Sequence, residues 1–406
     1  MNLRKNFRRE VLDNGVTLLF EKRVFPIVSM SITSKIGAMY ESEKERGLAH
    51  FVEHLLFQGT KSKSKEEINL EVDEAGGEFN AQTSDVDVNI SIKCPDDFAE
   101  KSIEILIDIV KNALFNEEDI EKERKIIFEE IDSDKDNPEE YCNDKLASTI
   151  YSGSISVPVF GTKENVKRFK RKDLVKKYHE LFLPENLIVT VVGNYSFEKL
   201  KNKINLSFEK GKRKEKDFPK IVKKISKKIE CRKGLDQARL VFCYYSIPSS
   251  KKNYRINDVL YTILNNGDSS RLYKKLRDEK GVSYDLIGNF VFTKFYSYGF
   301  LNIGCSKIKI KKIEEMIVEE FLNIANNLGE KEFKSAKKKL LGWEKIGQES
   351  CEDVNEGLAF SELTDKNAEI FYDYSKIIHK VGIEDVKKLA RKVADGNYGT
   401  FTLTPK

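Results

Sequence analysis

Strand and helix patterns run in similar order on both sides of one lysine-rich stretch, and this duplication constrains the fold of the 406-residue chain. Before the stretch, alternation at Val16–Glu21 and Val28–Ser34 reads as strand, and helical periodicity follows. Gly76-Gly77 then breaks the chain ahead of a strand at Val86–Lys93, helices over Phe98–Phe115 and Glu117–Asp132, and the buried-strand run Leu187–Val192. After the stretch, Leu240–Tyr245 reads as strand, and Asp258–Leu264 and Ser269–Asp278 as helix. Strands at Tyr284–Thr293 and Tyr298–Cys305 come next, then helices up to a last strand at Gly399–Leu403. A chain this long exceeds one ordinary core. The pattern therefore predicts an α+β protein of two similar domains, residues 1–207 and 229–406, joined by a Lys-rich linker over 208–228.

Charge and cysteine usage exclude several function classes. The net charge of +5 is small beside 71 basic and 66 acidic residues, and no concentrated basic face argues for nucleic acid. Six cysteines, at 94, 142, 231, 243, 305 and 351, form no C-x-x-C pair, so a disulfide framework or a thiolate metal site is not expected. No apolar run approaches the ~20 residues of a membrane span, and strand-like sequence begins directly after Asn14-Gly15, without an apolar leader. A soluble, reducing, cytoplasmic setting is the expectation, with no membrane partner.

Only four histidines occur, and two of them, His50 and His54, stand four residues apart in Gly47-Leu-Ala-His-Phe-Val-Glu-His-Leu-Leu-Phe57. On a helix, i and i+4 leave one face a turn apart, so both imidazoles can meet one metal ion. Glu53, at i+3 from His50, lies beside that face. This H-x-x-E-H order is the reverse of the better-known H-E-x-x-H zinc motif. A catalytic zinc needs a third protein ligand and one open position. His179 and His379 sit in lysine-flanked helices without acidic company. In the acidic helix, Glu123 and Glu130 are two turns apart and share a face flanked by Ile126, Ile127 and Ile131. From pattern alone the commoner outcome for such glutamates is pairing with neighbouring Arg or Lys. Between Asn116 and Asp144 there are thirteen acidic and four basic residues, a balance that reads first as a solvated helix face.

His50-x-x-Glu53-His54, with Glu130 76 residues on and Glu123 seven before it, resembles the M16 (pitrilysin-type) metallopeptidases. The resemblance continues through Gly47–Thr60, Ala75-Gly76-Gly77, Asn80-Ala81-x-Thr83, Pro184-Glu185-Asn186 to Gly193, Asp268–Tyr273 and Leu276-Arg277 to Tyr284. It implies a zinc endopeptidase in which His50, His54 and Glu130 hold one Zn2+ per chain and Glu53 is the general base toward a zinc-activated water. It gives Glu123 the part of orienting a zinc-bound histidine, and Arg277 and Tyr284 that of donors brought from the second domain to substrate carbonyls. Asn80 and Ala81 would bind peptide at a strand edge. The family fold implies two α+β sandwich domains, with mixed or antiparallel sheets against helices, forming half of a clamshell. Small unfolded peptides would be cut in a closed chamber completed by a second copy or a related subunit. The alternative is a non-catalytic partner or structural subunit of a heterodimeric peptidase, a fate in which the zinc residues are typically lost.

Overall fold

Val28, Met30 and Ile32 alternate with Ser29, Ser31 and Thr33 along one strand, and all six side chains are buried, so the sheet they belong to is covered on both faces. The computed structural model describes residues 3–211, 221–251, 253–279 and 285–406, the side chains of 3 and 277–279 excepted. Part of the Lys-rich stretch, 212–220, thus lies outside the described residues. The chain divides into two compact units, each assembled from three stretches. The first comprises Met1–Ile131, Val157–Pro219 and Gly347–Tyr372; the second comprises Asp132–Ser156, Lys220–Ile346 and Asp373–Lys406.

In the first unit, strands β1 (Phe7–Val11), β2 (Thr17–Lys22), β3 (Ile27–Ser34), β4 (Glu78–Thr83), β5 (Val88–Pro95) and β6 (Leu187–Gly193) form one sheet. Their order is β1-β2-β6-β3-β5-β4, with β2 parallel to β6 and the other neighbours antiparallel. The run of β6, apolar except for Thr190, is buried along its whole length, as a strand with two covered faces requires. One face of the sheet, through Leu18, Val28, Met30, Ile32, Val189 and Val191, joins the main core with the helices Leu48–Leu56 and Ala99–Asn112.

The other face is covered by a segment from far along the chain. Leu19, Ile188 and Val192 pack with Cys351, Val354 and Leu358 of the helix Cys351–Asp365. Asn355 of that helix sets its place over the sheet: its Nδ2 donates to the carbonyls of Ser29 and Thr190, both at 3.0 Å, and its Oδ1 accepts from Ser31 Oγ at 2.6 Å.

The second unit repeats this plan. Strands β7 (Lys227–Arg232), β8 (Ala238–Tyr245), β9 (Asp285–Phe292), β10 (Ser297–Cys305) and β11 (Tyr398–Pro405) have the order β9-β10-β8-β11-β7. Three antiparallel pairs and one parallel pair, β11 with β7, follow in the same sequence as in β4-β5-β3-β6-β2. Leu240, Phe242 and Tyr244 face one core, while Arg239 on the opposite side of β8 pairs with Glu139 at 2.9 Å. Glu139 belongs to the helix Pro138–Asn143, so here an element from early in the chain lies on the sheet. Asn302 of β10 fixes it, donating to Glu139 O at 3.2 Å and Asn143 Oδ1 at 2.9 Å.

Both units are α+β, sheets against helices, as the sequence pattern predicts. Local details differ. Val222–Lys223, inside the stretch read as linker, pairs with Tyr151–Ser152, and β7 already starts at Lys227. The helical pattern at Ser269–Asp278 becomes a short α-turn, Arg271–Tyr273, and a wider π-type turn, Lys274–Glu279. No helix among the described residues is long and apolar enough to cross a membrane.

Candidate metal centre

The histidine helix, Leu48–Leu56, buries Leu48, Ala49, Phe51, Val52, Leu55 and Leu56 and so leaves His50, Glu53 and His54 on its remaining face. It begins at Gly47, whose φ of +105° and close approach to Phe160 O, where an added Cβ would lie at 2.7 Å, both require glycine. No side chain caps the helix at Gly47. Glu41 does it from a distance: its Oε2 accepts from Gly47 N at 3.0 Å and its Oε1 from Ala49 N at 2.7 Å. Lys177 Nζ stands 3.2 Å from Oε1, and both side chains are almost wholly buried. Burial pushes the Glu41 carboxyl pKa up, while Lys177, Arg46 and the Ala49 amide pull against it. A buried ion pair broken on one side leaves an uncompensated charge, at about 3–5 kcal/mol. Glu41→Ala should therefore destabilise the protein by about that amount in urea denaturation. A loss below about 1 kcal/mol, the range of surface pairs, would show that the pair does not hold the helix.

The acidic helix, Glu117–Asp136, brings two carboxylates to the imidazoles. His54 Nε2 is 3.5 Å and His50 Nε2 3.8 Å from Glu130 Oε2, and the rings of the two histidines are 4.7 Å apart, edge to face. Ligand atoms of His50, His54 and Glu130 all lie within 4.8 Å of one another. Two donors about 2.1 Å from one zinc at a tetrahedral angle are about 3.4 Å apart, so this N,N,O set fits the ion with small adjustment. Glu130 remains 44% exposed at its side chain, which leaves a route to the group.

Two further carboxylates stand around these three. Glu123, buried, accepts on Oε2 from His54 Nδ1 at 3.0 Å and on Oε1 from Gln58 Nε2 at 2.8 Å. With Nδ1 bonded to this carboxylate, Nε2 is the nitrogen left to face Glu130, the arrangement common behind zinc-bound histidines. Glu53 points its Oε2 at the hydroxyl of Thr83, which donates at 2.7 Å.

Burial and the neighbouring His54 charge lower the His50 pKa to about 4, so this ring is neutral at pH 7. Burial also opposes charge on His54, but the hydrogen bonds it donates to Glu123 and Glu130 outweigh this and push its pKa up to about 9. Glu53 is raised by burial, against the pull of Thr83 and His54.

Of the residues singled out in the sequence, His50, Glu53, His54, Glu123 and Glu130 therefore come together. Glu123 and Glu130 meet histidines rather than the arginine or lysine partners that helix pattern favours. Asn80, exposed, and Ala81, half-buried, lie on β4, the edge strand whose last residue is Thr83. Arg277 falls in the turn Lys274–Glu279; its side chain, and Tyr284 entirely, lie outside the described residues. His379 Nδ1 contacts Ser375 O at 2.6 Å, and neither it nor the exposed His179 belongs to the donor group. Sequence reasoning missed Glu41, Lys177 and Gln58. Glu41 lies six residues before Gly47, outside any capping-box spacing, and Lys177 carries no local signal at all.

A family profile described as "Insulinase (Peptidase family M16)" matches residues 17–163, and one described as "Peptidase M16 inactive domain" matches residues 168–340. A Bacillus subtilis protein named an uncharacterized zinc protease, YmxG, is 26% identical over 98% of this chain and 98% of its own length. The beta subunit of the mitochondrial processing peptidase of Dictyostelium discoideum is 25% identical over 93% of this chain and 84% of its own. Among solved structures, a protease from Helicobacter pylori superposes with a TM-score of 0.91 at 21% identity, covering 98% of this chain and 99% of the other.

Proposed function

Since the chain belongs to the M16 peptidase family, we propose that it is a zinc-dependent endopeptidase acting on short unfolded peptides. The observation that carries this reading is the convergence of His50, His54 and Glu130 into one N,N,O group with Glu53 on the same helix. A zinc ion held by those three would acidify a water and polarise the scissile carbonyl. Glu53 is the base that takes the water's proton and passes it to the leaving amine. Glu123 holds the His54 ring through Nδ1, with Gln58 steadying its second oxygen. Peptide is taken along the exposed edge of β4, where Asn80 and Ala81 offer backbone groups for strand addition, giving affinity with loose sequence preference. Arg277 and Tyr284 are proposed as donors to substrate carbonyls and the developing oxyanion.

Cleavage in a closed chamber, completed by a second copy or a related chain, extends this reading. A relative named as one subunit of a processing peptidase supports the pairing. Six cysteines without a disulfide among the described residues support a reducing, cytoplasmic setting. An intact donor set favours the catalytic reading over the partner-subunit one.

The purified protein should carry about one zinc per chain and cleave unstructured peptides until a chelator removes it, with zinc restoring activity. Zinc-loaded protein that leaves such peptides intact overturns the proposal. Binding should also be proton-linked. In the metal-free protein His54 holds a proton below about pH 9, and a ligand must lose it. Zinc affinity should therefore fall as pH drops below 9, by about tenfold per unit, with proton release visible by calorimetry in buffers of different ionisation enthalpy. A pH-independent affinity between 7 and 9 contradicts this.

A further inference from the structure

One contact of the site reaches beyond the zinc residues and their supports: the Thr83 hydroxyl on Glu53. Thr83 closes β4, paired across to Val88 of β5. The turn that follows is pinned from several sides. Ser84 N donates to Asp87 O at 2.9 Å, Ala38 N to Ser84 O at 3.0 Å, and Met39 N to Asp85 O at 2.9 Å. The buried Arg46 pairs with Asp85 and also donates to Val157 O at 2.9 Å. At Gly37 any Cβ would fall 2.3 Å from Asp87 N, so the loop before the histidine helix and the turn after β4 are packed backbone to backbone. Thr83 is thus a hydroxyl on a fixed frame, presented to a carboxylate with three rotatable bonds.

We propose that Thr83 is a positioning residue for Glu53: its hydroxyl stops rotation of the carboxylate and so aims the second oxygen at the attacking water. The inference rests on the peptidase reading above. It also ties the strand edge proposed to hold peptide to the group proposed to move the proton, because both belong to one strand and its partner helix. A base displaced by about 1 Å loses roughly 100-fold in rate, which sets the scale of the effect.

Two variants separate the hydrogen bond from the shape. Thr83→Val keeps a β-branched side chain suited to a strand but removes the donor. Thr83→Ser keeps the donor and removes a methyl group. For T83V we expect kcat to fall by about 10-fold to 100-fold with KM, thermal stability and zinc content close to wild type. T83S should recover kcat to within a few-fold. A crystal structure of T83V should show the Glu53 carboxylate turned from its wild-type place, a readout that needs no turnover. In Glu53→Gln, adding T83V should cost nothing further. T83V with wild-type kcat, or T83S as impaired as T83V, overturns the proposal while leaving the peptidase reading intact. Loss of zinc in T83V also overturns it, since the residue would then be structural. Zinc-loaded wild type without peptidase activity overturns both.

Discussion

Glu53→Gln should keep zinc and lose peptide hydrolysis, with kcat reduced by about 100-fold to 10,000-fold, the usual contribution of a positioned general base. The two side chains have the same shape, and the Gln carbonyl can still accept from Thr83, so the fold and the donor group are preserved. Glu53 is not one of the three convergent ligands, so metal content should not change. What disappears is the ability to bind a proton. An amide oxygen is a far weaker base than a carboxylate, and burial here raises the affinity of Glu53 for a proton further. Kinetics and metal analysis on the same preparation decide the matter. Turnover close to wild type would remove Glu53 from the role of base, and loss of zinc would place it in the ligand set instead.

Residues 1–207 expressed alone should not fold. This piece holds every strand of the first sheet but lacks Gly347–Tyr372, which the compact unit includes. Without it the face formed by Leu19, Ile188 and Val192 meets water, and the partners Val354 and Leu358 are gone. Five such side chains at about 1.5–3 kcal/mol each amount to roughly 7–15 kcal/mol as an upper bound. A whole domain is stable by only about 5–15 kcal/mol. Ser31 and the Ser29 and Thr190 carbonyls also lose their bonds to Asn355. The piece should aggregate or give a non-cooperative melt. The same piece with residues 347–372 attached through a flexible linker should melt cooperatively and bind zinc. A cooperative transition in 1–207 alone would show that the helix Cys351–Asp365 is dispensable.

How much of this was readable in the chain varies with the range of the interaction. The spacing of His50, Glu53 and His54 survives from sequence to structure because i, i+3 and i+4 are fixed by helix geometry. The same holds for Glu123 and Glu130, which two helical turns keep on one side. Their partners were another matter. Pattern alone pairs helical glutamates with lysine or arginine, and only the approach of two helices assigns these to histidines. Thr83 carries no signal of its role in Asn80-Ala81-x-Thr83, since a strand residue says nothing about which carboxylate it will meet. The Glu41–Lys177 pair left no trace, because its members are 136 residues apart and neither sits in a recognisable cap.

By itself the sequence determined the elements and their duplication. Alternation in β3, the largely apolar run of β6 and the helical spacing of the histidines are short-range consequences of backbone period, legible in any window of ten residues. It also marked β6 as a buried strand. What the tertiary structure decided is what does the burying: Cys351–Asp365 over the first sheet and Pro138–Asn143 over the second, each from a distant part of the chain. Hydrophobic burial is non-directional, so an apolar face states that it must be covered and not by which segment. The choice falls to directional bonds such as those of Asn355 and Asn302, which form only once the chain is folded.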